Sequence, residues 1–128
     1  MYVVGADEEL KAAALTAVES LIRAGESLVT DAEVLQEILH RYASIDRREA
    51  ILPAFEALYS VVDEVFPIDR QTADVARAIL ESLQNFSARD AIHVASMSQH
   101  GVTRILTFDT GFDRAPGIHR TGPISEPT

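Results

Sequence analysis

The sequence has no cysteine, which excludes disulfide bonds and thiolate zinc sites and is typical of a protein that works in a reducing cytoplasm. It has no apolar run near the roughly 18 residues of a membrane span, and no signal peptide precedes the first predicted helix. Basic residues are few: 11 Lys and Arg face 20 Asp and Glu, and the formal net charge is −9. That charge argues against a general nucleic-acid binder, but not against a nuclease whose carboxylates hold a metal ion. The lack of cysteine, of a membrane span and of a signal peptide together predict a cytoplasmic protein.

Signatures of several other enzyme classes are also missing. There is no Gly-rich phosphate loop and no G-x-S-x-G nucleophile elbow. The four histidines, at positions 40, 93, 100 and 119, have no partner at a metal-binding spacing. We interpret His93 as a partly buried residue of a helix. The acidic residues are therefore the candidates for chemistry.

The length and composition indicate one globular domain. The chain has 128 residues, of which 47% are hydrophobic and 24% are charged. This is enough to bury a core without disulfides. We assign residues 1–121 to this domain and expect residues 122–128 to form a flexible tail.

Hydrophobic periodicity predicts helices that alternate with short strands. The alternation indicates βαβ units, and hence an α/β fold of three layers with a mainly parallel sheet between helices. Met1 to Gly5 is too short to be predicted as a strand. Pro53 has to kink its helix or begin a new segment, because an interior proline costs about 3 kcal/mol. The predicted helices cover approximately residues 7–24, 30–42, 47–62, 70–84 and a segment that begins at 87, and the predicted strands cover 27–29, 65–68, an apolar segment that ends before Asp109, and 118–121.

Local signals predict where these helices begin and end. Residues 30–33 have the T-x-x-E form of a capping box, and residues 87–90 form a second one with Asp in the Glu position. Asp69 is a suitable cap for the helix that follows it. Gly25 ends the first helix, because glycine readily adopts the left-handed conformation found there.

Three acids stand at positions that favour a shared site. Glu37 lies beside the edge of the apolar stripe of its helix, whereas Glu33 falls nearly opposite that stripe. Asp90 opens a helix, and Asp109 follows a strand at the edge where parallel sheets bind ligands. Each has an ordinary alternative role, as an ion-pair partner, a cap or a turn former. Together they predict a metal-binding cluster, because Mg²⁺ takes carboxylate oxygens and clustered carboxylates repel one another without a cation.

Two stretches of the sequence resemble a known family. S-x-x-D-A-I-H-V-A at residues 87–95, followed by I-L-T-F-D-x-x-F-x-x-x-P-G-I at 105–118, resembles the PIN-domain ribonucleases. It is most similar to the VapC-type toxins of bacterial type II toxin–antitoxin modules. T-D-A-E-V-L-Q-E-I-L-H at residues 30–40 resembles the family segment that carries the second acid. The resemblance covers about residues 2–123 and is most specific in the last third.

This resemblance implies a role for each matching residue. Glu37, Asp90 and Asp109 match the second, third and fourth family acids, and would be both metal ligands and catalytic residues. Thr107 would support the site from its strand, and Asp113, which matches no essential position, would be an outer acid. The implied activity is endonucleolytic cleavage of RNA by a water that Mg²⁺ or Mn²⁺ activates. The implied partners are a small antitoxin protein and a second copy of the chain in a homodimer.

The sequence departs from the family at its start, where the family has a hydrophobic strand that ends in Asp followed by Thr or Ser. The first residues instead resemble the segment after that motif, so we expect a chain that starts late. In the alternative, Tyr2 to Val4 forms the strand and Asp7 substitutes for the missing acid. Without that acid, the protein would be a catalytically impaired PIN domain that acts as an antitoxin-binding or dimerising partner. A purely structural α/β domain is the third hypothesis.

Overall fold

The computed structural model describes residues 1–4, 11–107, 110–115 and 117–121. No helix in these ranges is long and apolar enough to cross a membrane. Two 3-10 helices lie within the same ranges, at Arg48–Ala50 and Thr110–Arg114. The strands and α-helices described there are β1 (Tyr2–Val3), α1 (Lys11–Arg23), β2 (Val29–Asp31), α2 (Ala32–Ser44), α3 (Ile51–Val61), β3 (Glu64–Phe66), α4 (Arg70–Ser82), α5 (Ala88–Gln99), β4 (Arg104–Leu106) and β5 (His119–Thr121).

The described strands form one sheet in the order β3-β2-β1-β4-β5, and every neighbouring pair is parallel. Tyr2 is in register with Val29 on one side and with Ile105 on the other. Parallel neighbours need crossover connections, which the helices between the strands supply. The predicted α/β fold with a mainly parallel sheet is confirmed.

Apolar side chains cover both faces of this sheet. Tyr2 and Ile105 belong to a core cluster that includes Met97 of α5. Val3 and Leu106, the next residues along the same two strands, belong to a second cluster with residues of α1. Successive side chains of a strand point to opposite faces. The sheet is therefore packed on both sides, as a three-layer fold requires.

The first strand differs from its prediction. Tyr2 and Val3 form β1 in the centre of the sheet, although Met1 to Gly5 was too short to be predicted as a strand. Tyr2 is completely buried. A strand this short has no hydrophobic periodicity, so its position is determined by pairing with β2 and β4. The structure thus contains the strand of the second alternative for the chain start, while Asp7 lies outside the described residues.

The start of α2 also differs from its prediction. The N-cap is Asp31, whose side chain accepts hydrogen bonds from the backbone N–H groups of Glu33 and Val34. Thr30, the predicted cap, lies in β2 and donates its hydroxyl to the carbonyl of Val3 over 2.6 Å. The predicted T-x-x-E capping box is therefore wrong by one residue. The reason is that Thr30 belongs to β2, where its hydroxyl donates to the Val3 carbonyl, so the Asp31 carboxylate is the group that accepts from the first N–H groups of the helix.

Three other local predictions are confirmed. Asp69 caps α4 in a reciprocal capping box with Thr72. Gly25 follows α1 with a φ of +82°, a conformation that favours glycine. Pro53 falls in the first turn of α3, where the missing N–H has no partner within the helix to lose.

Candidate active site

The starts of α2 and α5 meet at one edge of the sheet. Helix α2 begins directly after β2, so its first turn lies at the carboxyl end of that strand. Helix α5 leads through a short turn into β4, so its own first turn lies at the same edge. In parallel sheets this edge is where ligands bind. The predicted site residues Glu37 and Asp90 belong to these two helices.

Asp31 is a buried acid of this region that was not among the predicted site residues. It is completely buried at the end of β2. One carboxylate oxygen, Oδ1, accepts hydrogen bonds from the N–H groups of Glu33 at 3.0 Å and Val34 at 3.3 Å. The other, Oδ2, accepts from the Tyr2 hydroxyl at 2.6 Å and lies 2.8 Å from Nδ1 of His93. Two hydrogen bonds on each oxygen use the lone pairs of a carboxylate, so Asp31 acts as an anchor and not as an open ligand.

Tyr2 reinforces this anchor from the central strand. Burial and the adjacent Asp31 carboxylate raise the pKa of the Tyr2 hydroxyl, which therefore stays a hydrogen-bond donor. The hydroxyl and the backbone N–H groups reach Asp31 from two different elements, β1 and α2. The position of the Asp31 carboxylate is thus fixed by the fold itself.

His93 connects Asp31 to Glu37. Its side chain is 2% exposed, and its two ring nitrogens lie 2.8 Å from Asp31 Oδ2 and 3.0 Å from Glu37 Oε2. Only a protonated ring can donate from both nitrogens. Burial lowers the pKa of His93, but the hydrogen bonds to Asp31 and Glu37 outweigh burial and raise it to about 9. His93 is therefore a buried cation at neutral pH, and not the partly buried helix residue that we predicted.

Glu37 lies against the first turns of α5. Its Oε2 contacts Nε2 of His93 at 3.0 Å and Nε of Arg89 at 3.4 Å. Its side chain is 21% exposed, so one part of it reaches solvent. Arg89 and His93 stand one residue before and three residues after Asp90. The structure thus brings Glu37 to the same end of α5 as Asp90.

Ser87 caps the start of α5, which confirms the N-cap half of the predicted capping box. The Ser87 hydroxyl accepts a hydrogen bond from the backbone N–H of Asp90 at 3.0 Å. Phe86 and Ala91 belong to one core cluster, which agrees with a hydrophobic staple across the helix start. Asp90 itself is half-buried and lies one turn before His93 on the helix. Both the cap and the staple fix the backbone that presents this acid.

The two predicted supporting residues follow β4: Thr107 comes directly after the strand, and Asp113 lies in the 3-10 helix Thr110–Arg114. Thr107 is buried directly after the strand, and its N–H donates to the carbonyl of Thr121. Asp113 is exposed and pairs with Nε of Arg120 at 3.1 Å. Arg120 also reaches the Thr107 carbonyl, at 3.5 Å, so Asp113 is connected to this end of the strand. Asp109, the predicted fourth acid, lies outside the described residues.

Glu33 lies nearer to this site than its place on the helical wheel indicated. Burial and the negative charge of Glu37 raise its pKa, while the positive charges of His93 and Arg89 act in the opposite direction. Glu33 and Glu37 stand four residues apart on α2 and therefore share a side of the helix. The helical wheel placed Glu33 only relative to the apolar stripe, and it could not show that His93 and Arg89 of α5 lie close to this side of α2.

The donors at this edge fit a hard divalent cation. Both ring nitrogens of His93 already face carboxylates, so the groups left for an ion are carboxylate oxygens, which suit Mg²⁺ and Mn²⁺. Both contacts of Glu37 fall on Oε2, and within the described part of the chain no hydrogen bond reaches Oε1. Among those same residues, no three acids or histidines converge closely enough to form a complete metal site.

Comparison with known proteins places the chain beside one family. Residues 1–118 match the family described as the PIN domain. The chain is 56% identical to ribonuclease VapC13 of Mycobacterium tuberculosis over 120 residues, which are 94% of this chain and 92% of the relative. It is 34% identical to ribonuclease VapC23 of the same species over 109 residues, which are 85% and 86% of the two chains. The crystal structure of DNA-bound VapBC from Salmonella typhimurium shares the fold, with a TM-score of 0.72 at 16% identity over 95% of this chain and 97% of that one.

Proposed function

Because the chain belongs to the PIN-domain family and, within it, to the VapC ribonucleases, we propose that Glu37 and Asp90 are acids with which it cleaves RNA. It is an endoribonuclease of the kind that acts as the toxin of a toxin–antitoxin pair, and metal dependence is the general property of PIN nucleases. We expect the ion to be Mg²⁺ or Mn²⁺, since the available ligands are carboxylate oxygens. Asp109 completes the proposed set of acids, with Thr107 and Asp113 in support.

The placement of Glu37 is the observation that carries this proposal. Its carboxylate lies 3.0 Å from His93 and 3.4 Å from Arg89, the two residues that flank Asp90 along α5. Glu37 and Asp90 are 53 positions apart in the sequence. Nevertheless, Glu37 on α2 lies against the end of α5 that carries Asp90, at the ligand-binding edge of the sheet. An acid that served only as a cap or a surface ion pair would not require this meeting of two helices.

Each residue near the proposed site has a separate role in RNA cleavage. A divalent ion, when bound, supplies positive charge to the scissile phosphate and lowers the pKa of a water molecule. Glu37 and Asp90 would hold that ion with their carboxylate oxygens. The hydroxyl of Ser87 fixes the turn that presents Asp90. Arg89 is 58% exposed beside Glu37, so its guanidinium is available to a phosphate group of the RNA backbone.

The partners follow from the same family membership. The structural relatives include VapBC complexes, which supports an antitoxin protein as a binding partner of this chain. We propose that the chain also forms a homodimer, and that it acts on RNA in the cytoplasm. Analytical ultracentrifugation of the chain alone tests the homodimer, and the same measurement with the antitoxin present tests the complex.

Cleavage of RNA by purified variants tests the assignment of the acids. We expect the wild-type protein to cut a single-stranded RNA with Mg²⁺ or Mn²⁺ and to stop when EDTA is added. Glu37→Gln and Asp90→Asn should each lower the rate by at least about 100-fold, because a ligand to the ion is lost at nearly constant shape. Glu56→Gln, an exposed change on α3, is the matched control and should cut normally. Unchanged cleavage by either site variant, with the fold intact by circular dichroism, would remove that residue from the site.

One observation favours the alternative of a catalytically impaired PIN domain. Glu37 already has two cationic neighbours in the protein, and the described acids alone do not complete a metal site. Titration with Mn²⁺ by calorimetry separates the two functions. A catalytic domain binds Mn²⁺ saturably at this site, whereas an impaired one binds little and still forms a complex with the antitoxin.

A further inference from the structure

We propose that Asp31 and His93 form a positioning pair that holds the Glu37 carboxylate in the orientation it needs to bind the divalent ion. This inference rests on the proposed function, because it takes Glu37 as a ligand. It adds two residues that touch neither the ion nor the RNA. Their role is to orient the Glu37 carboxylate from the interior of the protein.

The pair is rigid because every part of it is buried and bonded. Asp31 is completely buried and accepts from two backbone N–H groups and from the Tyr2 hydroxyl. His93 is 2% exposed and has a carboxylate at each ring nitrogen. A side chain held at both ends cannot rotate without breaking a charged hydrogen bond, which is worth more than a neutral one. The Nε2 atom of His93 is therefore a fixed donor for Glu37.

Glu37 needs such a donor because its side chain has three rotatable bonds and is partly exposed. Its other cationic neighbour is less suited to the task. Arg89 is 58% exposed and its Nε lies 3.4 Å away, beyond the usual range of a strong hydrogen bond. His93 is closer, at 3.0 Å, and is enclosed by protein. The burial and the distance thus assign the orientation of Glu37 to His93, and leave Arg89 free to move.

The contacts also leave the right part of Glu37 available. His93 holds Oε2, and within the described residues no hydrogen bond reaches Oε1. One oxygen is therefore held by His93, and the other has no hydrogen bond from the described residues. Partners of this kind, which hydrogen-bond a metal ligand from behind, typically change metal affinity by about 10–100-fold when they are removed.

Stability alone does not account for the pair. Burying an ion pair costs desolvation energy, and replacing a buried pair by apolar residues of similar size is often neutral or stabilising. The neighbours of His93 on α5, namely Val94, Ala95 and Met97, are buried in the core, so an apolar side chain at position 93 would avoid that cost. A role in holding Glu37 explains why a charged group stands at this position.

Two amide variants of His93 separate its two contacts. An Asn amide falls near the position of Nδ1 and can reach Asp31, whereas a Gln amide falls near the position of Nε2 and can reach Glu37. We expect His93→Asn to weaken Mn²⁺ binding by about 10–100-fold, and His93→Gln to retain most of the affinity. Met97→Leu, a buried change one turn further along α5, is the control and should bind Mn²⁺ like the wild type. The measurement is isothermal titration of the full-length protein with Mn²⁺, with urea unfolding in metal-free buffer to record stability.

The outcomes distinguish this inference from the proposed function. If Glu37→Gln loses Mn²⁺ binding while folded His93→Asn binds as the wild type does, the positioning pair is refuted and the site stands. If Glu37→Gln itself binds normally, the proposed function fails. If His93→Asn does not fold, His93→Gln carries the test: a loss of affinity as large as that of Glu37→Gln refutes the inference, since the donor to Glu37 is still present.

Discussion

The buried charge of His93 makes the stability of this protein depend on pH. Burial lowers the pKa of His93, but the hydrogen bonds to Asp31 and Glu37 raise it from 6.5 to about 9 in the folded state. Each pKa unit corresponds to about 1.4 kcal/mol, so the protonated ring stabilises the folded state by about 3 kcal/mol. Since the folded pKa is the higher one, this stabilisation is fully present below pH 6.5 and is lost as the pH rises through about 9.

Urea unfolding in metal-free buffer at several pH values between about 6 and 9.5 measures this effect. Two other groups must be kept apart from it. Burial lowers the pKa of the Met1 amino group, so its contribution increases with pH, opposite to that of His93. The pKa of Tyr2 is raised, so its contribution is lost only above the unfolded value of 10. The difference in unfolding free energy between wild type and His93→Gln cancels both, because they are common to the two proteins.

We expect that difference to shrink by about 3 kcal/mol from the acidic to the alkaline end of the range. A difference that stays constant with pH would refute the reasoning, because it would show that the folded state does not favour the protonated ring of His93. NMR titration of the His93 ring in the wild-type protein gives an independent check. A ring that loses its proton near pH 6.5 would also contradict a doubly paired imidazolium.

Two further predictions concern single side chains in the fold. Asp31→Ala should lower the unfolding free energy by about 3–5 kcal/mol, because it removes the fully buried one of the two carboxylate partners of His93. Asp69→Ala should cost only about 1 kcal/mol for the lost helix cap. Equal losses in urea unfolding would contradict the anchor role of Asp31. Gly25→Ala should cost about 1–2 kcal/mol, because alanine is strained at a φ of +82° although no atom lies within 4 Å of its Cβ; an unchanged unfolding midpoint would show that the turn adopts another conformation.

The fold was largely predictable because its signals are local. Helix periodicity, Gly25, Pro53 and the Asp69 cap are each decided by neighbouring residues, and all agree with the structure. Strand β1 was not predictable in the same way, since two residues carry no period and gain their place from β2 and β4. The Thr30 cap failed for a related reason. Two capping residue types stand side by side, and the choice between them was made by the Val3 carbonyl on another strand.

The candidate site was predictable only in part. Glu37 and Asp90 have positions that a helical wheel and a capping pattern can indicate. The role of His93 was hidden, because its two carboxylate partners lie 62 and 56 residues away in the sequence. The local sequence pattern can show that His93 faces the core, but it cannot show that Asp31 and Glu37 contact its ring there. The end of β2 and the helices α2 and α5 had to be packed together before this pairing existed.

The two cations beside Glu37 differ in burial, and this difference gives them different roles. A divalent ion and a protein cation compete for the same carboxylate, because each satisfies the same charge. Arg89 is exposed, so water can replace its weak contact at little cost, and its charge is then available to a phosphate. His93 is enclosed, and withdrawing it would break its charged hydrogen bonds to the buried Asp31 and to Glu37, which costs several kcal/mol. If Glu37 binds a divalent ion as proposed, we expect the ion to replace the contact with Arg89 and not the one with His93, so that Glu37 would keep its orientation.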